Sequence, residues 1–368
     1  MCLLTYKRIF SILDSGIQKV RITQIRLEEQ VEQKTIKVVV DAMGGDNAPY
    51  EVVKGVVEAV REKENVIVYL VGKEELVQEE LKKYTYPEKQ IIVMNADEVI
   101  SCDEAPVMAI RKKKNSSIVV GMNMVKNKEA DAFVSAGSTG AILAGGQFIV
   151  GRIKGVERPA LAPLIPTKDG SALLIDCGAN VDAKPSYLVQ FAKMGSIYME
   201  NVLGVKNPKV GIVNIGVEEE KGNKLVKETY PLLKNCNEIN FVGSVEAREI
   251  PYGAVDVIVC EAFVGNVILK LYEGVANAML KKIKEGLMST TRSKVGAVLV
   301  KPALKKTMQN LEETQHNGAP LLGLNGLVVK THGSSESIEI KNAIMQCVVF
   351  REQEINEKIR QYLVVDEE

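Results

Sequence analysis

At 368 residues, with 46% hydrophobic and 26% charged side chains, the chain is long enough for one large domain or two smaller ones and can bury a sizeable core. Lysine plus arginine equals aspartate plus glutamate at 47 each, so net charge predicts neither nucleic acid nor an anionic surface as partner. The six cysteines are scattered without a CxxC pair, which argues against a zinc site or disulfide framework and fits a reducing cytoplasm. Tryptophan is absent, and no apolar run approaches the ~20 residues that span a bilayer.

Residues 1–35 carry six basic and four acidic side chains, with apolar runs too short for a signal-peptide core. They read as an N-terminal extension outside the chemistry, an upstream start or an expression scar being the alternatives. From Ile36 onward, short β-branched runs alternate with amphipathic segments of helical length. The expected strands are KVVVDA, VIVYLVG, QIIVMN, DAFVSAG, ALLIDCG, KVGIVNIG, INFVG, VDVIVCEAF and LVVKTHG. In the intervening segment EVVKGVVEAVRE, Val52, Val53, Val56, Val57 and Val60 fall on one helical face. This alternation implies βαβ units, and strands apolar throughout imply helices on both faces of a mostly parallel sheet. Residues 36–368 therefore read as one α/β unit, with subdivision into two lobes left open. Residues 266–310 break the rhythm and read as a helical tip or dimer region. From Met279 to Asn310 the tip holds Lys281, Lys282, Lys284, Arg292, Lys294, Lys301, Lys305 and Lys306 against Glu285 alone. A solvated hairpin, a dimer contact, and an amphipathic tip touching anionic lipid all remain open.

In an open parallel sheet, ligands bind beyond the carboxyl ends of the strands. The turns there read DAMGGDNAP (41–49), SAGSTG (135–140), DCGANVDAKP (176–185), IGVEEEKGN (215–223), EAFVGN (261–266) and THGSS (331–335). Glycines let backbone N–H groups approach an anion, and a helix N-terminus adds partial positive charge. Any one such turn is weak evidence, but six on one edge point to a phosphate-like anion. GxxxxGK[ST], GxGxxG after the first strand and GxSxG are all absent, which excludes the usual nucleotide and serine-nucleophile turns. Only His316 and His332 are available as imidazole bases; His316 reads as a solvated loop residue, His332 as a site residue or a cap. Cys177 reads as buried packing. Direct attack by a bound anion remains, with Lys221, Asn266 and Lys184 at helix starts as donors to an oxyanion or carbonyl. Lys184, before a proline, reads more readily as a solvated side chain.

VDAMGGDNAP, NADEVI, RKKKNSSIVVG, SAGSTGA, GRIKGVERPALAP, DCGANVDAKP, EKGN, GNVILK and KTHGSS, in this order, resemble the bacterial phosphate acyltransferase family of membrane-lipid synthesis. The resemblance runs from about Ile36 to about residue 350. It implies a Rossmann-like α/β fold related to phosphotransacetylases and isocitrate-dehydrogenase-like enzymes. It also implies attack of inorganic phosphate on a long-chain acyl-acyl carrier protein thioester, without cofactor or metal. Its further implications are a homodimer, peripheral contact of the tip with an anionic membrane, and supply of a downstream glycerol-3-phosphate acyltransferase. The family's lysine and asparagine fall on Lys221 and Asn266 as catalytic residues. The substrate- and phosphate-binding set expected here is Asp41, Gly44, Gly45, Ser138, Thr139, Gly140, Asn180, Asp182, Lys184, His332, Gly333 and Ser334. SAGSTG departs from the expected SAGNTG. A short-chain phosphotransacetylase using coenzyme A and a non-catalytic membrane scaffold are the rival readings, and RKKK (111–114) is a candidate contact for an acidic carrier.

Overall fold

Two sheets, rather than one, carry the alternating pattern. A computed structural model describes residues 35–315 and 318–364. Its strands are β1 (Ile36–Asp41), β2 (Val66–Gly72), β3 (Ile91–Asn95), β4 (Ala132–Ser135), β5 (Ala160–Leu161) and β6 (Leu164–Thr167). They continue with β7 (Gly170–Ile175), β8 (Lys209–Val213), β9 (Asn240–Val245), β10 (Val257–Val259), β11 (Ala319–Leu322) and β12 (Leu327–Lys330). The first sheet runs β3-β2-β1-β4-β12-β11-β5 and the second β6-β7-β10-β8-β9. Parallel pairing dominates both; β11–β12, β11–β5 and β6–β7 are antiparallel.

The nine expected strands are all present, and the three unforeseen ones account for every antiparallel pair. β5 has two residues, β6 contains Pro166 and β11 contains Pro320, so brevity and proline hide them from a period-based reading. β6 and β5 are edge strands, where proline and short pairing cost least.

The helices are α1 (Tyr50–Glu62), α2 (Glu74–Leu81), α3 (Pro106–Lys112), α4 (Ser117–Lys126), α5 (Thr139–Gly145) and α6 (Pro185–Val202). After them come α7 (Lys224–Lys234), α8 (Ala262–Leu287), α9 (Thr291–Gln315), α10 (Ser337–Glu352) and α11 (Ile355–Val364). The valine stripe of α1 is buried as its spacing requires, and a Cβ at Gly55 would lie 2.5 Å from the Ser337 carbonyl, so α1 crosses close to α10. Val38, Val39 and Val40 of β1, and Leu173, Leu174 and Ile175 of β7, have no exposed surface. Both faces of these strands are therefore covered, as continuous apolar runs demand.

α8 and α9 are 26 and 25 residues long and make helical the stretch that breaks the βαβ rhythm. Their outer surfaces keep Leu271, Met279, Val298 and Leu299 more than half exposed. Among the described residues no helix is long and apolar enough to cross a membrane. His316 and residues 1–34 lie outside the described residues, as do the side chains of Lys305 and Lys306.

Candidate active site

The six expected turns divide equally between the two sheets. Those after β1, β4 and β12 belong to neighbouring strands of the first sheet and are tied together. Asp41 is buried at the end of β1, where Ser135 Oγ donates to its Oδ2 at 2.6 Å and the Met43 N–H to its Oδ1 at 3.0 Å. Gly137 N–H then donates to Ser135 Oγ at 2.9 Å. Burial pushes the Asp41 carboxyl up, against these hydrogen bonds and one from Ser117. A Cβ at Gly44 would lie 2.4 Å from Asp41 Oδ2, and Gly45 has φ +96°, so the pair of glycines is what lets this turn close. Across the sheet, Asp46 N–H donates to the Gly333 carbonyl at 2.7 Å, and Asn47 Nδ2 donates to the carbonyls of Ser334 and Ser335.

Ser138 accepts from Ala141 N–H as the cap of α5, Thr139 beside it is exposed, and Gly140 packs against Pro106. His332 Nδ1 accepts from Ser334 N–H at 3.3 Å and lies 2.8 Å from Ser334 Oγ, which leaves Nε2 to carry the ring proton. Its ring is exposed, so it can face a ligand while the turn holds it.

On the second sheet the organising group is Asp176, which the sequence reading passed over. Its carboxylate accepts from the N–H groups of Leu161, Cys177, Ala179 and Asn180 and from Asn180 Nδ2. Burial raises its pKa against those donors. Asn180 spends its other amide hydrogen on the Pro159 carbonyl at 2.8 Å, so its side chain is committed to the turn. Asp182 and Lys184 are exposed, and Lys184 precedes Pro185 at the first position of α6. Gly265 makes the closest approach: a Cβ there would lie 1.9 Å from the Asp176 carbonyl oxygen, so only glycine lets α8 start against β7. Asn266 follows it, exposed in the first turns of α8, whose cap is the Glu261 carboxylate.

Lys221 is about half exposed and paired with Glu218 at 2.9 Å. The Glu218 carboxylate holds the Lys221 ammonium above its usual range and is itself held below the ordinary carboxylate range. Its backbone carbonyl accepts from buried Asn214, and Asn223 caps α7 through Val226 N–H at 2.9 Å. The sequence EKGN thus fixes the backbone on both sides of Lys221 while its amine stays in solvent.

Between the sheets lies a cleft of about 450 Å³. One wall is the end of β12 and the turn after it, with Lys330, Thr331, His332 and Ser335; Thr139 and Asn266 also line it. The rest of the lining is mixed: Leu161, Leu164, Ile165 and Pro166 with Leu269 and Tyr272 of α8 are apolar, and α8 adds Lys270, Glu273 and Asn277. Tyr272 OH donates to the Pro166 carbonyl at 2.6 Å and pins α8 to β6. Of the expected residues the cleft gathers Thr139, Asn266, His332 and Ser334; Asp41, Gly44, Gly45 and Gly333 stand behind it as turn geometry. It does not gather Asn180, Asp182, Lys184 or Lys221.

Lys330 was not foreseen. Burial lowers its pKa to about 8, and its amine donates to the carbonyls of Ala136 and Thr331, with no carboxylate in ion-pair range among the described residues. The available signal was a lysine ending an otherwise apolar strand, LVVK. A second pocket of about 270 Å³ lies on the other side of the start of α8, lined by Ile212, Ile215, Leu225, Val226, Val264 and Ile268. Asn214, Gly222 and Asn223, which carry the backbone around Lys221, form its polar margin. Among the described residues no group of three His, Cys, Asp or Glu side chains is placed to hold a metal ion.

Residues 36–358, which include every turn just described, match the family of fatty acid synthesis proteins. The chain belongs to this family. Within it, the chain is 53% identical over 328 residues to a phosphate acyltransferase of Clostridium novyi (strain NT), covering 89% of this chain and 98% of that relative. A phosphate acyltransferase of Clostridium botulinum (strain Alaska E43 / Type E3) is 52% identical over 326 residues, 88% and 98% of the two chains. Among solved structures, a phosphotransacetylase from Streptococcus pyogenes superposes with a TM-score of 0.58 at 18% identity, covering 90% of this chain and 99% of that one. The EutD phosphotransacetylase from Staphylococcus aureus gives 0.56 at 17%, over 89% and 97%. At such identities the likeness is one of fold, which this chain shares with both phosphotransacetylases.

Proposed function

We propose that the protein transfers a long-chain acyl group from an acyl-acyl carrier protein to inorganic phosphate, giving acyl phosphate for phospholipid synthesis. The observation that carries this reading is the cleft itself, where an amine, hydroxyls and an imidazole share the lining with the apolar side chains of Leu161, Leu164, Ile165 and Leu269. A phosphate oxygen attacks the thioester carbonyl carbon; the C–O bond forms, the C–S bond breaks, and the thiolate leaves to take a proton. Neither a serine nucleophile nor an intermediate on the protein is needed. Asn266 donates to the thioester oxygen as charge builds there; Lys221, which lies outside the cleft, has to leave Glu218 and swing toward Asn266 to meet the developing negative charge, and one such donor is typically worth ~3–4 kcal/mol in the transition state. Thr139, His332 and Ser334 face phosphate, on a wall shaped by Asp41, Gly44, Gly45, Ser138, Gly140 and Gly333. Asn180 holds the opposing turn, with Asp182 and Lys184 on its exposed outer side toward the carrier.

Residues 36–368 form the catalytic unit and residues 1–35 an extension outside it. The protein works in the cytoplasm as a homodimer without cofactor, touches anionic lipid at the α8–α9 tip, and feeds a downstream glycerol-3-phosphate acyltransferase. The exposed apolar side chains of these helices, next to Lys281, Lys282 and Lys284, support the tip assignment; each basic group near an anionic leaflet contributes about 1 kcal/mol. Exposed Arg111 and Lys112 suit an acidic carrier. The phosphotransacetylase-like fold favours one rival, a short-chain enzyme using coenzyme A. Acetyl-CoA and palmitoyl-carrier protein, each offered with phosphate and followed by mass spectrometry, separate them: acyl phosphate is expected from the carrier thioester, and turnover of acetyl-CoA alone would refute the proposal.

A further inference from the structure

Two hydroxyls on the polar wall of the cleft have no hydrogen-bond partner. Thr331 is 4% exposed and Ser335 5%, yet Thr331 Oγ1 and Ser335 Oγ are both unpaired among the described residues. A buried polar group left unpaired costs about 1–3 kcal/mol, and groups of this kind in a native fold call for a ligand or another specific explanation. Both residues line the same cleft, and the Lys330 amine lines it with them. That amine has only two carbonyls as partners, so at least one of its three N–H groups remains free. Lys270, on α8, is close enough to repel it. Asp41 and Asp46 offset part of that repulsion from a distance, but no carboxylate pairs with the amine, so an acceptor-rich anion can still take its free N–H.

The carboxylates lining the cleft are already engaged. Glu273 pairs with Lys270 at 2.8 Å, and Glu339 accepts from Glu336 N–H to close the cap of α10. A cation would find no free carboxylate pair here, whereas a phosphoryl group would find an amine, with two enclosed hydroxyls that a rotation about χ1 turns toward it.

We infer that Lys330 Nζ, Thr331 Oγ1 and Ser335 Oγ form a phosphoryl-binding subsite at the carboxyl end of β12. The inference rests on the acyl-transfer reading for its ligand class, and two sources share that chemistry: inorganic phosphate, and the phosphate ester of a phosphopantetheine arm. An anion seated there lies at the foot of the polar wall, with Asn266 lining the same cleft and its apolar side chains free for an acyl chain.

The test is calorimetric titration of the whole protein and its Thr331→Val, Ser335→Ala and double variants with inorganic phosphate, 4′-phosphopantetheine and phosphate-free pantetheine. Because the hydroxyls have no protein partner, thermal midpoints should hold or rise, which keeps misfolding from mimicking the result. The double variant is expected to bind a phosphorylated ligand at least tenfold more weakly, with pantetheine unaffected. Loss confined to inorganic phosphate assigns the subsite to the nucleophile, and loss confined to phosphopantetheine assigns it to the arm. Affinities within twofold of the wild type for both, or no wild-type binding of either, would overturn it. Acyl phosphate formation is followed in parallel: a wild type that binds phosphate but makes no acyl phosphate sinks the acyl-transfer reading and leaves the subsite standing. An active wild type whose variants bind both phosphate and phosphopantetheine unchanged does the reverse.

Discussion

Replacing Lys330 by methionine should make the protein more stable at neutral pH and less able to bind an anion. Methionine keeps the length and apolar stem of lysine and removes the buried charge. The lysine falls from 10.5 to about 8 in the fold. That is a drop of about 2.5 units, and at 1.36 kcal/mol per unit the charged amine costs roughly 3 kcal/mol. The unfolded chain holds this proton up to 10.5 and the folded chain only to about 8, so the unfolded state binds more protons between those values. Wild-type stability from this group therefore rises with pH across that window, and the full cost is present below it. The amine's two carbonyl hydrogen bonds offset part of the gain, leaving about 1–2 kcal/mol at pH 7. Urea midpoints of wild type and Lys330→Met, measured without phosphate at pH 7 and pH 10.5, isolate the term because other titrating groups are common to both. Relative to the wild type, the methionine variant should lose about 2–3 kcal/mol between the two pH values, so its advantage at pH 7 becomes a deficit at pH 10.5. A variant destabilised equally at both would refute the reasoning, since burial would then not be what lowers the amine.

Lys221→Met and Asn266→Ala should each reduce acyl phosphate formation at least tenfold with unchanged thermal midpoints; normal rates in both would remove them from the reaction. Gly265→Ala forces a methyl against the Asp176 carbonyl, 1.9 Å from the built Cβ. It should cost about 2 kcal/mol or more, read as a lower urea midpoint. Exchanging Lys281, Lys282 and Lys284 for glutamate should weaken sedimentation with anionic liposomes while leaving the rate on soluble substrate intact, and unchanged sedimentation would reduce the tip to a structural hairpin.

Periodicity made most of the frame legible. Val52 to Val60 announced α1, and uninterrupted valine and isoleucine runs announced strands covered on both faces. The division into two sheets was hidden because it depends on β5, β6 and β11, which are too short or carry proline. At the candidate site, motif residues mark turns whose internal contacts the sequence does not show. Asn180 looks like a ligand in sequence, yet both of its amide hydrogens go to Asp176 and Pro159. Asp176 itself reads as an ordinary strand-end acid until five donors are seen to converge on it. Lys330, Thr331 and Ser335 were harder still, because an unpaired buried hydroxyl is a property of packing and leaves no spacing to read.

The hydrogen bond from Asp46 to Gly333 has a consequence for the order in which the protein can be made. β12 is inserted between β4 and β11, while β6 to β10 form the second sheet from an uninterrupted stretch of chain. During synthesis the second sheet has all of its strands before the first has received its last two. The early turn around Asp41 must then wait for residues almost three hundred positions downstream before its partner carbonyls exist. A nascent chain stopped short of Gly333 would have every strand of the second sheet but not the carbonyls that Asp46 and Asn47 bond, so the wall between β1 and β12 is among the last parts of this protein to close.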